Sequence, residues 1–214
     1  MASDHCHPMR DNRDNKDGMN NHVDAGTLKM EDLRPLPPVV VEFLRGLDAS
    51  PRLLAHLVLV HDVAARLLEA LAETWPHLPI DAGAVLLGSA THDIGKVRVP
   101  EELTGPGTAH AVLGQQLLEE HGFPTEVARY ARTHETWIEE PDATPEDLLV
   151  ALADYLWRGK RDAVLEGAVT SWIADAVSAA PWAVFLDVDD IATDLAQDAP
   201  RRLQWLAQFT TEAA

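Results

Sequence analysis

From Pro35 onward, apolar residues recur at intervals of three and four, the spacing that lines one face of a helix. Leu53, Leu57, Val60, Ala64, Leu67 and Leu71 form the clearest stripe. Ser50 supplies an N-cap and Pro51 the first helical position, and no Gly or Pro follows until Pro76, so one long, mostly buried helix is predicted over about 51–75. Asp81 can cap a second helix running through Ala90, with His92, Asp93 and Ile94 near its end and Gly95 beyond. A turn over Pro100–Leu103 leads to a third helix from near Thr108 to His121, stopped by Gly122. Pro124 opens another, running through Tyr130 to about Trp137. Thr144, Pro145 and Asp147 resemble a capping box ahead of the helix that carries Leu148–Trp157, and Gly159 ends it. Further helices follow over about 161–178, 182–197 and 200–211. No strand-like alternation of convincing length occurs, so the fold class is all-α.

The first 34 residues break this pattern. They are rich in Asp, Asn, Lys and His and almost lack β-branched and aromatic residues, so they bury too little surface to offset the entropy of ordering. A disordered polar tail over 1–34 and a helical domain over 35–214 are expected. His5, Cys6 and His7 within the tail could bind a soft metal, although no second cluster completes a site.

Composition narrows the function. At 214 residues and 46% hydrophobic content the chain can bury one core, and no apolar run approaches the roughly 20 residues that span a bilayer. The N-terminus shows no basic-then-apolar leader, and a single cysteine makes no intrachain disulfide; both point to the cytoplasm. The formal net charge is -18, from 17 Lys and Arg against 35 Asp and Glu. That excess repels nucleic-acid backbones and anionic lipid, so neither an extended nucleic acid nor a membrane is an expected partner. A small anionic substrate needs a cation at the site to reverse the local field.

Candidate metal ligands are present. His56 lies in the apolar stripe of the long helix, where a ring needs a partner; a lone histidine there is more often a satisfied core residue than a ligand. His92 and Asp93 place two adjacent donors at a helix end before Gly95. Asp154 sits within LLVALADYLW, a run so apolar that its carboxylate requires a cation or a strong donor. His110 opens one helix and His134 lies on another. These intervals are too wide for a zinc finger and suit a cage built from several helices.

In this order the residues resemble the HD-domain superfamily of metal-dependent phosphohydrolases. The matched pattern is His56 with Val60 and Ala64, SATHDIGKV, His110 with Gly114, His134, and ALADYLW with Asp154, covering about residues 50–160. The resemblance implies an HD-domain-like helical bundle in which His56, His92, Asp93 and Asp154 hold one divalent transition metal, such as Mn, Fe, Co or Ni. His110 and His134 would add a second ion, with Asp93 bridging. His61 competes with His56, but lies about 140° round the helix from it; the Val60 and Ala64 spacing favours His56. The members that cleave cyclic di-GMP resemble the chain at HDIGKVRVP, yet they carry paired histidines where Thr133-His134 stands and often a glutamate where Arg52 stands. The single fourth histidine looks more like the dinuclear hydrolases of nucleotides.

The function implied is hydrolysis of a small phosphorylated metabolite, most plausibly a nucleotide, with a diiron oxygenase or a non-catalytic binding module as alternatives. Two cations would activate a water and draw charge from phosphoryl oxygens. Lys96 could stabilise developing negative charge beside Asp93, or simply complement a helix end. Arg158, Lys160 and Arg161 could clamp phosphates, or serve the same dipole around Gly159. Trp137 and Trp157 could stack on a base or pack in the core. Glu135 is either an acid, base or orienting group, or part of a solvated face. The helices beyond 161, with Trp172, Trp182 and Trp205, complete either the core or a homodimer interface.

Overall fold

The helix starts follow from their caps. In the computed structural model, which describes residues 27–212, the Ser50 hydroxyl accepts the Leu53 N–H and Pro51 opens helix α2 (Pro51–Thr74). Asp81 accepts the Ala84 N–H at the head of α3 (Ala82–Ser89). Thr144 and Asp147 close a reciprocal capping box at α7 (Pro145–Leu156), and Asp162 caps α8 (Ala163–Val177) by accepting from Val164 and Leu165. The remaining helices are α1 (Pro38–Gly46), α4 (Ala109–Glu120), α5 (Thr125–Ala128), α6 (Tyr130–Thr136), α9 (Pro181–Gln197) and α10 (Ala199–Leu206). The single helix expected from Pro124 to Trp137 is interrupted only at Arg129, which keeps helical dihedrals. No strand occurs among the described residues, and none of their helices is long and apolar enough to cross a membrane.

Helix α2 is the axis of the core. Every residue from Ala55 to Ala65 is buried, because α3, α7, α9 and α10 surround it. Leu57, Leu59, Leu149, Leu152 and Leu156 are among its fully buried side chains. Burying a leucine contributes about 1.5–3 kcal/mol, so this face holds α2 and α7 in register and fixes His56 relative to Asp154.

Two close approaches bring the remaining candidates in. A Cβ on Gly95 would stand 2.0 Å from the His110 carbonyl oxygen and 2.6 Å from the Gly114 nitrogen. Only a glycine lets the turn after Asp93 lie against the first turn of α4, and that contact carries Asp93 to His110. Asp147 joins α6 to α7: buried at 0% exposure, it accepts from the Thr133 hydroxyl at 2.5 Å and pairs with Arg129 at 3.1 Å. His134, next to Thr133, is thereby set against α7.

The packed chain begins before the expected boundary at residue 35. Leu33 is buried, the Arg34 N–H donates to Asp62 at 3.1 Å and Arg66 donates to the Asp32 carbonyl, so 32–34 are held against α2. The rest of the expected tail, including His5, Cys6 and His7, lies outside the described residues. At the other end Trp205 joins the core, Trp172 is half-buried, and Trp182 is 72% exposed. Trp182 therefore adds nothing to the core; its apolar neighbours on α9, Phe185 and Leu186, are exposed as well.

Candidate metal centre

All six expected ligands converge in one cluster, although they come from five segments. His56 lies on α2, His92 and Asp93 in the turn after α3, His110 in the first turn of α4, His134 on α6 and Asp154 on α7. All except Asp154 are buried, and the Asp154 side chain is only 15% exposed. Asp93 stands at the centre. Its Oδ2 lies 2.9 Å from His56 Nε2 and 3.6 Å from His92 Nε2, on the side where Asp154 Oδ1 lies 3.4 Å from His92 Nε2. Its Oδ1 lies 3.0 Å from His110 Nε2 and 3.6 Å from His134 Nε2. Glu135, whose Oε1 is 3.7 Å from His110 Nε2, joins this second side.

The outer ring nitrogens of His92, His110 and His134 are occupied. His92 Nδ1 faces the Ser89 carbonyl at 2.9 Å and His134 Nδ1 the Ala131 carbonyl at 2.9 Å. A carbonyl oxygen only accepts, so Nδ1 carries the proton in both rings and, in the neutral form, Nε2 presents its lone pair inward. His110 Nδ1 is held by Glu102 Oε2 at 2.6 Å. Such outer partners orient metal-binding rings.

Whether a cation fits can be judged from the donors themselves. Asp93 Oδ1 and His110 Nε2 are buried without a hydrogen-bond partner, even though they face each other. Leaving buried polar atoms unmatched costs about 1–3 kcal/mol each, and a cation receiving both lone pairs removes that cost. His56, His92 and Asp154 place one donor atom each within 4.8 Å of one another, as do His92, Asp93 and His134, and His110, His134 and Glu135. The donor set therefore could hold a divalent metal ion at Asp93.

Electrostatics agree with that fit. Burial alone would raise the Asp93 carboxyl, but the surrounding His92, His110 and His56 rings and the Lys96 ammonium hold it well below the ordinary carboxylate range. Asp154 is likewise lowered against its burial, chiefly by His92. Burial drives His134 down to about 4, so its ring is neutral at physiological pH. Burial raises Glu135.

The pocket is a cavity of about 320 Å³. Lys96 and Arg158 line it, and Lys96 Nζ is 2.5 Å from Asp93 Oδ2. Lys160 and Arg161 do not, which corrects the expectation of a three-residue basic clamp. Arg161 is committed elsewhere: it donates twice to Glu166, at 2.7 Å each, and to Asp189 at 2.6 Å. Lys160 Nζ sits over the Tyr155 ring, 3.9 Å from its centroid. Trp157 lines the pocket, donating from Nε1 to Asp154 at 3.2 Å, whereas buried Trp137 does not. His61 is buried beside Arg34 and Asp62 and takes no part in the cluster.

Sequence reading missed Arg52, Glu102, Leu206 and the Thr104–Gly107 loop as lining residues. Arg52 was recoverable, since it precedes His56 by four residues and shares its helix face. Nothing in local spacing marks Glu102, which comes from the 3-10 turn Pro100–Leu103.

The family model of the HD domain matches residues 53–159, the span that contains every residue of the cluster. No curated protein and no solved structure matches the chain.

Proposed function

Because the chain belongs to the HD-domain family, we propose that it is a metal-dependent phosphohydrolase acting on an ester or anhydride of a small phosphorylated metabolite, with nucleotides as the first candidates. The observation that carries this reading is the two-sided environment of Asp93. One oxygen faces His56 and His92, beside Asp154, and the other faces His110 and His134. His56, His92, Asp93 and Asp154 would hold one ion, and Asp93, His110 and His134 the other, with Glu135 at its side. Bound divalent ions would supply an activated water and neutralise phosphoryl charge.

The chain's own residues do the rest. Lys96 holds Asp93 Oδ2 and keeps a positive charge at the pocket wall, where negative charge develops as the leaving-group oxygen departs from phosphorus. Arg158 offers a planar donor pair to phosphate oxygens. Trp157 fixes Asp154, and its ring meets His56 edge-on with centroids 5.0 Å apart, closing that flank to water. Cations facing this pocket in so acidic a chain favour a phosphorylated substrate over dioxygen chemistry on the same donors.

The test uses full-length protein purified without a His-tag. Plasma mass spectrometry is expected to find about two transition-metal ions per chain, and the Mn, Fe, Co or Ni forms to hydrolyse members of a phosphomonoester and nucleotide panel. Asp93→Ala is expected to abolish turnover and retain helicity. No hydrolysis by any metal form would overturn the reading, and oxygen uptake confined to the iron form would replace it with an oxygenase.

A further inference from the structure

Arginines in this protein are mostly neutralised. Arg66, Arg98, Arg129, Arg132 and Arg161 each lie against a carboxylate. Arg45, Arg52, Arg158 and Arg202 make no ion pair among the described residues, and of these Arg52 and Arg158 line the metal pocket. Arg52 donates instead to the Leu206 carbonyl at 3.3 Å, and Arg158 lies beside the Tyr155 ring at 5.9 Å. Both contacts leave the guanidinium charge uncompensated, although acidic residues outnumber basic ones twofold (35 against 17).

Their placement follows one rule. Arg52 comes one helical turn before His56, and Arg158 one turn after Asp154. One turn is about 5.4 Å, so the two arginines stand outward from the His56–His92–Asp154 side of the cluster rather than the His110–His134 side. The C-terminal helix holds them there. The Arg52 N–H donates to Thr210 O at 3.0 Å, and Arg202 donates to the carbonyls of Leu156 and Trp157 at 3.4 Å each, fixing the end of α7. Leu206 itself lines the pocket. Helix α10 and Arg52 both fall outside the span matched by the family model.

Resting on the phosphohydrolase reading, we propose that Arg52 and Arg158 form a subsite for a second anionic group of the substrate. The preferred substrate then carries another phosphate or a carboxylate about one helical turn, roughly 5 Å, from the phosphorus that is attacked. Two guanidinium groups recognise either oxyanion in the same bidentate manner.

The test measures binding of non-hydrolysable probes to the metal-loaded full chain by calorimetry. Propylphosphonate provides the single anion, 3-phosphonopropionate adds a carboxylate to a chain of the same length, and propane-1,3-bisphosphonate adds a second phosphonate. A probe with two anionic groups is expected to bind at least about tenfold more tightly than propylphosphonate. Arg52→Gln is expected to remove most of that ratio with propylphosphonate affinity and metal content retained, and Arg158→Gln to remove most of it with metal content retained. The preferred member of the two-anion pair identifies the second group as carboxylate or phosphate. Equal affinities for all three probes, or ratios unchanged in both variants, would overturn the subsite and leave the hydrolase reading standing. Failure of every probe to bind metal-loaded protein would overturn both.

Discussion

Glu102 offers the sharpest separation between holding the fold and holding a metal. Its carboxylate accepts from the Ala109 N–H at 3.1 Å, the His110 N–H at 3.0 Å and His110 Nδ1 at 2.6 Å. It thus caps α4, whose own N-cap residue Thr108 makes no side-chain bond, and orients a ligand ring in the same stroke. Glu102→Ala removes all three bonds. Losing a cap costs about 1 kcal/mol and losing a charge-assisted bond about 1.5–3 kcal/mol, so a total of about 3 kcal/mol is expected. For a chain of this size that corresponds to a melting temperature lowered by about 6–12 °C. Glu102→Gln retains an acceptor oxygen for the backbone but not the charge, and should melt within about 4 °C of wild type. Both variants should lose about 10–100-fold in affinity for the ion on the His110 side, the range seen when such outer partners are removed. Circular-dichroism melts of the chelator-treated protein give the first quantity, and metal titration followed by calorimetry gives the second. An alanine variant that melts with wild type, or a glutamine variant that loads both ions unchanged, would refute the assignment.

Two further outcomes are expected. Arg161→Ala should destabilise the protein by about 1–3 kcal/mol, because it strips the buried Glu166 of its partner, yet leave kcat/KM unchanged; a tenfold loss of kcat/KM at constant melting temperature would return Arg161 to the substrate site. Burial lowers the His61 ring below its ordinary 6.5, so the unfolded chain binds the proton more readily. Stability from this residue is present above about pH 6.5 and is lost as pH falls from there through the folded value. The His61 Cε1 proton resonance should titrate with a midpoint below 6.5 in the native protein, and a midpoint at or above it would show the ring to be solvated.

Legibility in the sequence followed the range of the interaction. Capping is local, so Ser50, Asp81 and Thr144 announced their helices at nearly the right residues. The six converging side chains were readable because buried imidazoles and carboxylates are costly in apolar stripes, and their order matched a known pattern; the convergence itself is a tertiary fact. Contacts across the chain left no mark. Glu102 reaches His110 through a turn with no periodicity, and Arg161 finds Glu166 and Asp189 on helices whose packing the pattern does not give. The tail boundary was placed late because Leu33 and Arg34 look like isolated residues in a polar stretch until α2 lies beside them.

Gly159 has no side chain and does not line the pocket, yet it sets how α7 meets α10, whose Leu206 does. Its backbone is left-handed, with φ +75°, and a Cβ there would stand 2.9 Å from the Ala199 Cβ, at the start of α10. The last turn of α7 is therefore seated directly on the helix that supplies Arg202 and Leu206. A side chain at 159 would press on Ala199 and strain a left-handed backbone, so only glycine lets the end of α7 and the start of α10 meet this closely. On the proposed reading, this corner acts on substrate fit through Leu206 at the pocket wall and leaves the central His–Asp cluster untouched.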